Sequence, residues 1–278
     1  MSIRVFLALA ALGVAMYGCG GSGSAPVTVE NVHGIDMVAI PGGTFNMGHE
    51  YRNDATADPT VNVYLPDEQP VHSVTLSPFQ IAVTEVTQKQ YSDVMGVNPS
   101  TYTGEDYPVT NIGANDAIKF CNKLSENEGL DPCYDDSGIC DFTKNGFRLP
   151  TEAEWEYSSR AGSSDPYSAG TMEKDLDTVG WYMDNSDGRP HSVGSKAPNA
   201  WGIYDMHGNV YEFCYDGYTE YTADPATDPT GSTDFNYRVM RGGGWFSAPM
   251  SCRSTTRGMF WTGGGNYYIG FRLARSIR

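Results

Sequence analysis

Positive charge is scarce in this chain: 18 Lys and Arg stand against 34 Asp and Glu, a formal net charge of -16. Binding nucleic acid draws on a basic face that neutralises phosphates, so general nucleic-acid binding is excluded. Long apolar runs are lacking too. Val5 to Met16 is apolar throughout but too short to span a bilayer. The five histidines, His33, His49, His72, His191 and His207, never fall at H-x-x-x-H spacing, which argues against a zinc hydrolase. Gly242-Gly243-Gly244 lacks the G-K-[ST] ending of a phosphate loop, and no G-x-S-x-G supplies a serine nucleophile. Finally, Lys, Asp and Glu are all missing from Arg241 to Arg278.

That last absence defines the tail. It holds six arginines, so the residues before it carry -22. A basic segment rich in Trp, Phe, Tyr and Gly is set on an acidic body. The whole chain has 278 residues, 40% hydrophobic and 19% charged, with 32 glycines. This is enough to bury a real core and describes a loop-rich globular protein.

Arg4 followed by Val5 to Met16 reads as a targeting segment. Gly18-Cys19 after it has the form of a bacterial lipoprotein signal, in which Cys19 takes a thioether-linked diacylglycerol and an acyl chain. Each buried CH₂ then contributes about 0.8 kcal/mol to the anchor. Tyr17 is bulky for that signal, and secretory cleavage nearby is the alternative. Either way the protein is expected to be exported to the cell envelope, and in the first case held to a membrane or cell surface by lipid. The expected division is 1–24 as signal and Gly/Ser tether, and 25–278 as one domain. Export gives the remaining cysteines meaning. Cys133 and Cys140 flank a short Asp- and Gly-containing turn, so a local disulfide is expected there. Cys121, Cys214 and Cys252 are left without an assigned partner.

Three helices are predicted. The first starts at Thr87 with a T-x-x-Q capping box to Gln90. The second runs from about Asn115 to Glu128 and stops at Gly129. The third starts at Thr151 with a T-x-x-E box to Glu154 and buries Trp155. Pro41-Gly42-Gly43 reads as the turn of a hairpin. After Gly162 the chain is irregular. Glu152, Glu154 and Glu156 look catalytic in isolation, but capping and salt bridges to Arg148 or Arg160 account for them.

Six segments then occur in order: MVAIPGGTFNMG, Pro70 to Tyr91 with EVTQKQY, GFRLPTEAEWEYSSRAG, NAWGIYDMHGNVYEF, RVMRGGGW and IGFRLAR. Together they resemble the formylglycine-generating enzyme (sulfatase-modifying factor) family over roughly residues 35 to 276. The resemblance implies an irregular α+β domain related to C-type lectins, with few short strands. It also implies calcium held by Asp205, Gly208, Val210 and Glu212. Hard cations take oxygen ligands, carbonyls included, and simple capping of backbone by the two acids is the alternative.

For family members that oxidise a sulfatase cysteine, the resemblance implies two cysteines holding copper(I), which prefers soft thiolates. On this chain the second falls on Cys252, but the first falls on Ser247, and the serine after the paired glycines falls on Gly244. A hydroxyl is a poor ligand for copper(I). The expectation is therefore a binding module, with Cys252 as a catalytic residue, and copper as its cofactor, only in the alternative. Phe246, Ser247, Ser251, Thr255, Phe260, Trp261, Tyr267 and Tyr268 are the candidate contacts, aromatics on a Ser/Gly background. Arg253 and Arg257 would add bidentate donors. The partner would be a protein or a glycan. Some family members resemble the variable proteins of diversity-generating retroelements, and most positions from Phe246 to Tyr268 use the residue alphabet such proteins display. Two alternatives remain: a thiol oxidoreductase, and a scaffold subunit of an envelope assembly.

Overall fold

The computed structural model describes residues 29–50 and 66–277. Cys19 and the expected signal and tether lie outside the described residues. In chain order come β1 (Val29–Val32), β2 (Ile35–Ile40), β3 (Gly43–Met47), β4 (His72–Leu76), β5 (Phe79–Ala82), α1 (Gln88–Met95) and α2 (Ala114–Asn127). Then follow β6 (Phe147–Arg148), α3 (Glu152–Arg160) and α4 (Glu173–Val179). The second half supplies β7 (Tyr211–Gly217), β8 (Ala226–Thr227), β9 (Tyr237–Arg241), β10 (Arg257–Trp261), β11 (Ile269–Gly270) and β12 (Ala274–Ser276). They form an α+β fold with three small sheets, ordered β1-β2-β5-β12-β6, β10-β9-β7-β11 and β3-β4-β8. No helix among the described residues is long and apolar enough to cross a membrane.

The predicted helices form where local chemistry placed them. Thr87 and Gln90 make the reciprocal capping box of α1, and Gly96 ends it in the left-handed region. α2 buries Ala117, Ile118, Cys121 and Leu124, the stripe its periodicity implied. Thr151 and Glu154 cap α3, whose Trp155 is wholly buried. α4 was not foreseen; its only buried side chains are Leu176 and Val179.

Two expectations are corrected. Pro41-Gly42-Gly43 is not a hairpin turn: β2 pairs with β1 and β5, whereas β3 pairs with β4 in another sheet. The chain is pinched against the β4–β5 connection here, where a Cβ on Gly42 would meet the Leu76 carbonyl at 2.6 Å. Cys133 and Cys140 are buried free thiols, and the Cys133 thiol donates to the Gly146 carbonyl at 3.2 Å. The turn between them is already closed by other bonds. The Asp135 carboxylate accepts from the Ser137 hydroxyl and from the Ser137 and Ile139 amides, and the Asp141 amide donates to the Cys133 carbonyl.

Buried ion pairs tie the short elements together. The three glutamates of α3 are their centre. Glu154 takes Arg148 at 2.6 and 2.7 Å. Glu152 takes Arg257 at 2.6 and 2.8 Å. Glu156 takes Arg241 and Arg160. Elsewhere Arg253 reaches Glu68 at 2.6 and 3.1 Å. Burial alone would raise Glu156, but Arg160 and Arg241 outweigh it and hold the carboxyl below its ordinary range. Asp216 has no such cation. Its carboxylate accepts from the Glu152 amide at 2.7 Å, and burial, with Glu152 adding repulsion, pushes it up to about 7.

Two measurements check this frame. Arg253→Met leaves Glu68 buried and unpaired and is expected to cost about 3–5 kcal/mol in urea unfolding, most of it recovered in Arg253→Met/Glu68→Leu. Asp216 binds its proton more tightly folded than unfolded. Its contribution is therefore complete below about pH 4 and lost as pH rises through about 7. Asp216→Asn keeps the acceptor for Glu152 and is expected to flatten the decline in stability between those limits, by an amount on the order of 4 kcal/mol.

Candidate functional site

The tail's candidate residues are presented by the loop between β9 and β10 and by the segment before β11. Gly242 and Gly243 leave β9 with φ of +95° and +74°, a region that only glycine enters freely. Side chains also forbid anything larger at the second: a Cβ on Gly243 would meet Cys252 Sγ at 2.6 Å. The Trp245 amide then donates to the Asn209 carbonyl, and the Ser186 hydroxyl donates to the Trp245 carbonyl at 2.6 Å. Across from this loop the Tyr211 amide donates to the Tyr268 carbonyl. These bonds bring residues from distant parts of the chain into one ring cluster. Phe246 lies 4.7 Å from Tyr268, 5.3 Å from Trp245 and 6.2 Å from Tyr211, centroid to centroid. Tyr267 lies 5.4 Å from Tyr268 and 6.1 Å from Trp245. Tyr102 meets Trp245 edge-on at 5.7 Å. Phe246 is 40% exposed and Tyr267 46%, over a base formed by the buried Trp245 and half-buried Tyr211 and Tyr268.

The structure therefore gathers Phe246, Tyr267 and Tyr268, with Phe260 packed beneath Tyr268 at 6.4 Å. The other candidates fall elsewhere. Trp261 is 57% exposed, but alternation along β10 puts it with Met259 on the face opposite Phe260, lying over Gly263. Thr255 is buried against the Arg253–Glu68 pair. Ser247 is buried and accepts from the Gly244 amide at 3.0 Å, and it and Ser251 lie beside the Tyr211 phenol. Arg253 and Arg257 are ligand donors in the expectation and internal struts in the structure. Tyr102 and Tyr211 were missed. No short motif signalled either: β7 is buried along nearly its whole length, and Tyr211, half-buried at its start, has its phenol beside the buried Ser247.

Copper(I) does not fit here. Cys252 is closed to solvent, and burial pushes its thiol up to about 12, so the thiolate that binds soft metals is absent near neutral pH. Ser247 is committed to Gly244, and Cys214 lies in a different core cluster. The neighbouring His207 is committed as well. Its Nδ1 donates to the Cys252 carbonyl, its Nε2 accepts from the Ser168 amide, and burial lowers it to about 4.

The calcium set does not fit as expected either. Both oxygens of Glu212 are held by Arg272, at 2.6 and 2.7 Å, and one also accepts from the Trp155 indole. A cation placed there would meet the guanidinium. Asp205 accepts from the Gly194 amide through Oδ2, while its Oδ1 and Glu85 Oε2 are buried with no donor. These carboxyls lie against each other, so a bond between them forms only when one is protonated. Burial, then the Asp205 charge, pushes Glu85 well up, and it holds that proton. Among the described residues no group of three or more His, Cys, Asp or Glu is arranged to hold a metal.

Residues 24–277 match the domain family described as "Sulfatase-modifying factor enzyme 1-like domain". The chain belongs to this family. It is 32% identical to "Chaperone protein LppX" of Paenibacillus barcinonensis, over 98% of each chain. It is 31% identical to "Serine/threonine-protein kinase pkn1" of Chlamydia pneumoniae, matching 87% of this chain but only 38% of that protein's length. Among solved structures it superposes on Treponema denticola variable protein 1 with a TM-score of 0.78 and 32% identity, covering 91% of this chain and 99% of the other.

The thiol chemistry has a direct check. Iodoacetamide at pH 8 is expected to leave Cys252 unmodified in the folded protein and to label it fully after denaturation, read by peptide mass spectrometry.

Proposed function

We propose that this protein is exported, lipid-anchored through Cys19, and uses its domain to present the aromatic surface of Phe246, Tyr267 and Tyr268 to a ligand. Oxidation of a protein cysteine is not its reaction. One contrast carries this reading: the rings meet solvent, while Cys252, where the family's chemistry would sit, is sealed and protonated. Half-exposed aromatic side chains on a rigid base offer large contact area at small entropic cost. The base is rigid because Arg241, Arg253 and Arg257 anchor both ends of the loop to buried carboxylates. The likeness to a solved variable protein supports a display role for the same part of the fold. The short apolar segment before Gly18-Cys19 supports the anchor.

The experiment has two arms. Binders are selected from peptide and glycan libraries on the wild-type chain and rescreened on Phe246→Ala/Tyr267→Ala. Loss of at least tenfold in affinity with a melting temperature within about 3 °C is expected. Unchanged affinity overturns the surface. A cysteine-containing sulfatase-type peptide is also incubated with the chain and copper in air; loss of its thiol mass overturns the exclusion of oxidase activity.

A further inference from the structure

The ring cluster and the residue that leads into Tyr267 each hold a polar atom that the surrounding packing leaves unmatched. Trp245 is nine-tenths buried, yet its indole Nε1–H has no acceptor. Asn266, the residue before Tyr267, has a buried side-chain oxygen with no donor. Its backbone is fixed: the Asn266 carbonyl accepts from the Asn111 and Ile269 amides. Buried polar groups in folded proteins are nearly always paired, and an unpaired one calls for an explanation. A ligand that brings the missing partners supplies it.

What covers Trp245 is easily moved. Tyr102, Phe246 and Tyr267 surround it, and the last two are half exposed. The Tyr267 phenol makes no hydrogen bond among the described residues. Surface rings of this kind change rotamer in picoseconds to nanoseconds.

Charge and shape narrow the ligand. The ring residues are all uncharged, Arg241, Arg253 and Arg257 are spent on internal carboxylates, and the exposed charges of the adjoining segment, Asp187 and Arg189 on either side of Gly188, are of opposite sign. A ligand with a formal charge finds no counter-ion in the cluster. The three rings meet the Trp245 indole at interplanar angles of 75°, 71° and 39°. Such walls offer edge-to-face slots to another aromatic ring. They do not form the flat platform on which a sugar ring stacks. An unmatched N–H donor and an unmatched amide oxygen are also the complement of a peptide unit, which has one carbonyl and one N–H.

Building on the ligand-surface reading, we propose that the site takes an uncharged peptide segment bearing an aromatic side chain. The Trp245 Nε1–H donates to a backbone carbonyl of that segment, and the Asn266 side-chain oxygen accepts from one of its amides.

The test follows the indole proton itself by ¹H–¹⁵N correlation spectroscopy on the full chain. Its resonance is assigned with Trp245→Phe, which keeps a ring and removes the N–H. N-acetyl-L-phenylalaninamide is the probe, and methyl β-glucopyranoside the comparison. A saturable downfield shift of the Trp245 indole proton with the first probe alone is expected, with three- to tenfold weaker binding in Trp245→Phe, the loss of one neutral hydrogen bond. A shift with the glycoside alone overturns the peptide and assigns a carbohydrate. Shifts of Phe246 and Tyr267 signals with the indole proton unmoved overturn this inference and leave the surface reading standing. No shift anywhere with the amide probe overturns the peptide assignment, while the surface reading stands or falls separately on the library screen. If Trp245→Phe fails to fold, the wild-type indole shift decides alone.

Discussion

Arginine paired with glutamate, away from water, is the interaction on which this fold depends. The second half of the chain has little regular structure to organise it, and long irregular stretches need some other source of order. Here that source is Arg241, Arg253, Arg257 and Arg272, each reaching a carboxylate far away in sequence. Burying such charges is costly, and the geometry must be good enough to offset it. It is: most of these contacts are two-pronged and short. A guanidinium fork meeting a carboxylate at two points fixes direction as well as distance, so each pair sets where a loop runs. α3 is the hub. Its Glu152 and Glu156, one turn apart, both approach Arg241, while Glu154 turns to Arg148.

What the sequence made legible follows from how local the cause is. The capping boxes at Thr87 and Thr151 are decided within four residues, and they stand. The Pro41-Gly42 segment was misread because a strand's partner is a tertiary choice that two glycines cannot announce. The tail's positive charge was plain, but its purpose was not. Nothing in Arg253 itself says that Glu68 waits for it. Ordered segments identified the family, and the substitution of Ser247 for a cysteine weakened the enzymatic expectation before any coordinates did. The aromatic candidates divide in space. Phe260 and Trp261 are neighbours in sequence and opposites in space, a consequence of strand pleating that composition alone does not resolve. Tyr102 and Tyr211 join the cluster through chain crossings no short motif encodes.

Frame and surface are interleaved in this tail. Gly243, Cys252 and Arg253 face inward, and Phe246 and Tyr267 face outward, within one stretch of chain. The inward set carries the folding energy and the outward set carries contact area. That separation is compatible with the family's breadth: proteins bearing names as different as a chaperone, a kinase and a variable protein are similar to this chain. It also accounts for the sealed thiol. Cys252 packs against Gly243, so closely that a Cβ there would meet its Sγ at 2.6 Å.

The position of β12 has a consequence for how the molecule is made. Residues Ala274–Ser276 are inserted between β5 and β6, with ladder partners on both sides. Arg272, two residues earlier, closes Glu212. A chain emerging from the ribosome in order has therefore made β5, β6 and every acidic partner before the pieces that join them exist. Until residues 272–276 have been made, the first sheet is in two parts and a buried carboxylate lacks its cation, so this domain cannot close from its N-terminal side alone.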